Sequence, residues 1–581
     1  MILKELNALY ERLRKQGVDL PVIGNSLQKI SYRVVIKSDG SFVRIEDARE
    51  EEVTKNKKKL QAREMVVLGE AKPSGSGVNP CFLWNNPAYL LGCVAATDRA
   101  IEYFHESKKR HLSFESEINS PSYSAVCRFL EAWDPNRSEE HIPSSELYTG
   151  NGIFVLQGQS TPIHEDETII NWWINGGSER WSNYGKKKKE TMNGMCLVSG
   201  ETAKVAILHN PAIKGVANAQ TSGAKLVSFN CKSFESYGKE QSANSPVSEK
   251  VAFSYCNALN YLLSRKSSRA RIGDATTVFW TDAPAEKNDF SEMLLCGFIA
   301  PESLDAQNEK LVQRVKHTLS DIAKGVMPSD MLNSDTRFFI LGLSPNAARL
   351  SVRFFCEGEL SDFFDNMHSH YEALSLKPRP KHDDPELISP FMILRQTARD
   401  VDGIAPLLGG ALMRAIIFKQ PYPDAIATAI LRRFKADGFV NYIRCAYLKA
   451  WLTRKSSNYQ IKPMLDEENN QPGYVLGRLF ALLQKTQTDA HPSLNRTIQD
   501  AFYSSASTTP GAVFPRLLKM YRHHITKLSP GSRINREKHI QHVMSKLIQF
   551  PVRLAVEQQG LFAIGFYHQN LDLYTPQSDN T

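Results

Sequence analysis

Past residue 374 the β-branched alternation of the chain gives out and helical spacing replaces it, a switch that one repeating architecture cannot accommodate. ISPFMILRQTARDV, AIATAILRRFKAD, NYIRCAYLKAWLTRK, YVLGRLFALLQKTQ, VFPRLLKMYRHHITKL and REKHIQHVMSKLIQF all place apolar residues at three- and four-residue steps. Breaks at Pro421, Pro423, Gly438, Pro472, Pro492, Pro515 and Pro530 predict a bundle of short helices. The switch is marked by LKPRPKHDDPE, a Pro-rich connector with one basic and one acidic half.

Upstream, Leu3, Leu6, Leu9, Tyr10 and Leu13 line one face of an opening helix that Gly17 stops. SYRVVIK and SFVRIED flank Asp39 and Gly40, a hairpin signal. IFVLQG, CLVSG, AKVAILH, AKLVSFN, TTVFW, RFFILGL and RLSVRFF read as strands, with a helix over 248–265. The two kinds of element interleave without a βαβ rhythm, so the fold class is α+β: a large mixed N-terminal domain followed by an all-α C-terminal bundle. With 581 residues exceeding what one core fills, the expected division is a mixed domain at 1–375, a helical connector and first part of the bundle at 376–463, and the C-terminal bundle at 464–581.

No run of about 18 apolar residues occurs, and MILKELNALYERLRKQG carries charge through its apolar stretch, which argues against a membrane span or signal peptide. A cytoplasmic protein is expected. The nine cysteines stand singly with no C-x-x-C, the pattern of buried small hydrophobes in a reducing compartment rather than of metal ligands. No metal or cofactor is expected.

Motifs for catalysis do not complete themselves. His382 and Asp383 suit a helix cap after the connector, and HESKKRH at 105–111 lacks the i, i+4 pairing that would seat two imidazoles on one metal. Ser222-x-x-Lys225 and Ser236-x-x-Lys239 lack the downstream partners of an acyl-enzyme site, and GEAKPSGSG lacks the Gly-Lys-Ser/Thr ending of a phosphate cradle.

Two segments are suited to gripping instead. GEAKPSGSGVNPCFLWNN at 69–86 and IKGVANAQTSGAKLVSFNCKSFESYGKEQ at 213–241 combine glycines with lysines, hydroxyls and amides. Amides both donate and accept, so Asn79, Gln220, Asn230 or Gln241 could read a base edge; the competing reading is a tight loop whose amides satisfy its own backbone. Seventy-one Lys and Arg against 62 Asp and Glu give only +9 over the chain, so placement decides. KNKKK at 55–59 and KKKK at 186–189 read as mobile basic loops. Between Arg496 and Arg553 ten cations face only Asp500 and Glu537, and Arg432, Arg433, Lys435, Arg444, Lys449, Arg454 and Lys455 repeat the bias upstream. One-signed helices usually face phosphates, and an acidic protein partner is the alternative.

The order of IEDARE, FLWNNPAYLLG, CLVSGE, HNPAIKGVANAQTSGAKLVSFNCKSFESYGKEQSANSPVSEKVAFSY, RIGDATTVFW and RFFILGLSPNAARLSVRFF resembles the large subunit of the type I-C CRISPR Cascade surveillance complex, over essentially the full length. The resemblance implies a non-catalytic subunit beside the 5′ handle of the CRISPR RNA and its handle-capping subunit, among backbone and small subunits. It implies sensing of the protospacer-adjacent motif in duplex DNA, help in opening it, a hold on the displaced strand and docking of a helicase-nuclease. Chosen by type and position, the motif-reading candidates are Lys72, Ser74, Ser76, Asn79, Lys214, Gln220, Ser222, Lys225, Asn230, Lys239 and Gln241. Candidates for phosphates and the displaced strand are Lys57, Lys58, Lys59, Lys186, Lys187, Lys188, Lys189, Arg516, Lys519, Arg522, Lys527, Arg533 and Arg536. Relatives of this subtype make their small subunit from the end of the same gene, for which Met464 is the candidate start here. Two other readings stay open: a nucleic-acid-processing enzyme, which needs carboxylates or histidines converging near 222–241, and a basic adaptor that binds only protein.

Overall fold

A computed structural model describes residues 1–54, 57–70, 77–185, 192–283, 285–301, 304, 309–327, 335–377 and 384–574, with 52–54, 57 and 285–289 described by backbone alone. Lys72, Ser74, Ser76, Lys186, Lys187, Lys188, Lys189, His382 and Asp383 lie outside these residues. Contacts divide the chain into two compact units, 1–214 with 220–261, and 215–219 with 262–581.

In the first unit, helix α1 (Ile2–Lys15) buries Leu6, Leu9, Tyr10 and Leu13 as its spacing predicts. Strand β1 (Asn25–Ile36) is the spine of a five-stranded sheet. Its second half pairs with β2 (Phe42–Asp47) across the Asp39-Gly40 turn, and its first half pairs with β5 (Arg63–Leu68). Strand β7 (Asn151–Leu156) runs parallel to β1 and holds the short β6 (Trp84–Asn85). Alternate residues Tyr32, Val34 and Ile36 face a core with Phe82, whose ring stacks on Trp172 and Trp173 at 5.7 and 4.7 Å, and with α2 (Ala100–Leu112) and α3 (Pro121–Ala132).

Strands β3 (Glu50–Thr54) and β4 (Lys57–Gln61) form a separate ribbon. Lysines expected in a mobile loop therefore lie in a strand. The acidic run before them explains the difference: Lys59 pairs in register with Glu52, and Lys58 Nζ lies 3.0 Å from Glu51 Oε2. A second ribbon joins β8 (Asn193–Met195) to β9 (Thr202–Lys204). Between them CLVSG is a turn rather than a strand, closed by Gly200 N–H on Cys196 O. Of AKVAILH only the first two residues lie in β9, and AKLVSFN forms no strand, its Ala224 making a bridge to Ile213. The division between units falls within helix α4 (Glu249–Ser264).

In the second unit, β10 (Arg269–Ile272), β11 (Ala275–Thr281), β12 (Arg337–Asn346) and β13 (Arg349–Glu359) form an antiparallel sheet in that order. Phe279, Phe338, Ile340 and Phe354 from this sheet share one core with Leu479, Phe480, Phe562 and Phe566 of the helices. Compactness thus groups 215–219 with 262–581, whereas composition changes near 375. Composition changes where strands give way to helices, but the sheet buries its face on those helices.

Helix α5 (Leu360–Leu374) leads into α6 (Asp424–Asp437), which Gly438 caps at φ +72°, and then α7 (Tyr442–Lys455) and α8 (Pro472–Ala490). α9 (Pro510–Ile525), α10 (Pro530–Met544) and α11 (Val556–Tyr574) follow, and shorter helices at Pro390–Arg395, Leu408–Ile417 and Ile498–Ala506 lie between those named. Pro472 and Pro530 sit at helix starts as expected, whereas Pro515 lies inside α9. It costs one backbone bond there without ending the helix. Eight cysteines are buried and Cys231 is exposed, against the expectation that all nine are core residues; none is in a disulfide.

Candidate nucleic-acid interface

The base of the 213–241 segment is pinned from several sides. Ile213 and Ala224 exchange two backbone bonds of 2.9 Å, and Asn260 accepts from Lys214 N–H at 2.8 Å. Lys225 belongs to this base: its Nζ donates to His209 O and Asn210 Oδ1, both at 2.6 Å, and burial lowers its pKa. His209 is itself buried, with Nδ1 2.7 Å from Tyr255 Oη, and burial with the nearby Lys225 charge pushes it down to about 4. Lys225 thus acts as a clasp. Replacing it by Met is expected to cost about 1–3 kcal/mol, because two hydrogen bonds from a charged donor are lost, one of them to the part-buried His209 O. Amide hydrogen exchange checks this: protection at 209–225 should fall while β1 and β7 stay protected.

What the clasp presents is a polar edge. Gly223 N–H closes a turn on Gln220 O at 2.9 Å, leaving Gln220 and Ser222 exposed with Lys214, Asn230, Lys239 and Gln241. Asn79 differs, for it is half-buried, its side-chain amide donates to Gly77 O at 3.2 Å and its N–H to Tyr89 Oη at 3.1 Å. It satisfies its own loop.

Two residues of this edge escaped the sequence reading. Asn244 ties the far end together, accepting from Ser236 N–H at 2.9 Å and donating to Lys239 O at 2.8 Å and Gln241 O at 2.9 Å. Tyr237 stands at the tip of the turn so fixed, 98% exposed. The Tyr-Gly pair between Ser236 and Lys239 was the available signal.

The basic helices sort themselves by partner. Arg433 and Arg444 both pair with Asp437; Lys449 donates to Glu372 O and Ala373 O at the end of α5; Arg454 donates to Ala415 O and Gln420 O; and Lys455 pairs with Asp424 and Glu557. The upstream bias is therefore largely spent inside the fold. Arg536 is also internal, its side chain 12% exposed and bonded to Asp489 and Leu482 O. Arg533 pairs with Glu537 at 3.0 Å, and Lys527 Nζ lies 3.2 Å from His491 Nε2. Arg516, Lys519 and Arg522 are exposed along α9, Arg516 with its guanidinium 5.2 Å from the centre of the Phe502 ring. These three form an exposed cationic stripe on α9.

The family model described as CRISPR-associated protein (Cas_Csd1) matches residues 6–574, covering the clasped loop and the stripe alike. The chain belongs to this family. Membership agrees with the resemblance to the large subunit of the type I-C Cascade complex and makes the chain a CRISPR-associated, Cascade-type subunit with nucleic-acid partners. No curated protein matches it. Among the described residues of this Csd1-family chain, no helix is long and apolar enough to cross a membrane, and no group of three or more His, Cys, Asp or Glu side chains could hold a metal ion.

Proposed function

We propose that the chain is the non-catalytic large subunit of a type I-C RNA-guided surveillance complex. In this role it senses the protospacer-adjacent motif in duplex DNA, aids strand opening, steadies the displaced strand and supports recruitment of a helicase-nuclease. It works beside the handle-capping subunit on the CRISPR RNA, leaving the rest of the target to base pairing. The observation that carries the reading is the family match over residues 6–574. Motif reading falls to the exposed polar edge at Gln220, Ser222, Asn230, Lys239 and Gln241, and strand holding to Arg516, Lys519 and Arg522 on α9.

A product starting at Met464 would carry α8 and α11 together, the two helices that meet most closely in the second unit, and Met464 is 51% exposed between α7 and α8. It would lose α7, whose Cys445 donates to Ala563 O.

The test is binding of the assembled complex to duplexes with and without the motif. Gln220→Ala and Ser222→Ala are expected to reduce discrimination by about 1–3 kcal/mol, the worth of a good base-edge contact. Unchanged discrimination in both would remove this edge from motif reading, and complexes lacking the chain that still choose their targets would end the whole reading.

A further inference from the structure

We propose that Tyr237, held bare at the tip of the Asn244-clamped turn with Lys239 beside it, is a stacking platform for an unpaired nucleobase. The inference deepens the nucleic-acid role proposed above and rests on it. Lys239 N–H closes the turn on Ser236 O at 3.0 Å, and both central residues have positive φ, Tyr237 at +56° and Gly238 at +66°. This is the pattern of a type I′ turn, whose first central position favours Asn, Asp or Gly. A tyrosine there is strained, and at 98% exposure its ring gains nothing from burial. Strain without packing is what a residue kept for a ligand shows.

The turn is also built to stay rigid. Asn244 holds it by three bonds, and Gln241 N–H donates to Glu235 Oε1 at 3.2 Å. A ring fixed this way loses little freedom when a base stacks on it. Lys232 and Lys239 are exposed but matched in number by Glu235 and Glu240, so what the turn offers a base is the bare ring, with Lys239 two residues from it for an adjoining phosphate.

The test uses the full chain, alone and in the assembled complex, with short single-stranded DNA and RNA of one sequence, each also made with an abasic site. Tyr237→Ala is expected to weaken binding about 5- to 140-fold, which is the stacking worth of about 1–3 kcal/mol converted at about 1.4 kcal/mol per tenfold, while Tyr237→Phe stays within about twofold. The abasic strands should erase the difference between Tyr237→Ala and the unaltered chain. Loss confined to DNA assigns the base to a target strand; loss confined to RNA assigns it to the CRISPR RNA. Tyr237→Asn should raise Tm while losing affinity, which separates stacking from a folding defect. The inference is overturned if Tyr237→Ala binds both strands normally, if Tyr237→Phe falls as far as Tyr237→Ala, or if only association with another protein subunit is lost. An unaltered chain that binds no strand in either state would instead overturn the nucleic-acid role itself.

Discussion

Gly477→Ala is expected to lower the stability of the second unit by about 3 kcal/mol or more, at the upper end of what overpacking costs. A Cβ at Gly477 would run into Phe562 O and lie 2.7 Å from Phe566 N, both backbone atoms of α11. No rotamer relieves such a clash, so α8 and α11 must part. Gly565 shows the reciprocal approach, its Cβ position being 2.9 Å from the backbone carbon of Tyr474 on α8. Parting the helices loosens the rings of Phe480, Phe562 and Phe566, whose centroids now lie 5.7 Å apart in both pairs made by Phe480. Alanine's better helix propensity returns only about 1 kcal/mol, too little to reverse the sign. Gly531→Ala on α10 is the control, since its Cβ would meet nothing within 4 Å; a gain of about 0.4–1 kcal/mol is expected there. Denaturant midpoints decide the matter. If Gly477→Ala unfolded like the unaltered chain, the two helices do not meet this closely.

Local patterns make much of this fold legible in the sequence. The Asp39-Gly40 hairpin, β7, β11, the β12 and β13 pair and the α1 face all follow from periods carried by adjacent residues. Distant partners are what the sequence hides. Lys449 counts as a surface cation until its ammonium is found on Glu372 O, and Arg536 does so until Asp489 is found beside it. A charge census therefore overstates the phosphate-facing surface of the helices upstream of α8 and of α10 as well. The unit boundary was hidden for the same reason, because the facing of one sheet on distant helices leaves no mark in composition. Within the candidate site, residue type identified the exposed amides and hydroxyls. It could not tell that Lys225 turns inward to His209, or that Asn79 turns back to Gly77.

Pairing rather than abundance of cations should then govern how strongly the complex holds DNA. Reversing Arg516, Lys519 and Arg522 together to Glu is expected to flatten the log–log salt slope by about 2.7, three contacts at about 0.9 each, and to weaken binding about 10²–10³-fold near 0.1 M salt. The fold should survive, because all three side chains are exposed on α9 and their removal strands no buried partner. Lys58→Glu is the informative contrast: Lys58 already faces Glu51 at 3.0 Å, so the same change of charge on β4 should leave the slope nearly untouched. Motif preference should be equal in all these variants, since phosphate contacts position the protein without reading sequence. A slope unchanged by the triple reversal would free α9 from the strand. Lost preference with an unchanged slope would mean that the helical stripe, and not the edge at Gln220 and Ser222, reads the motif.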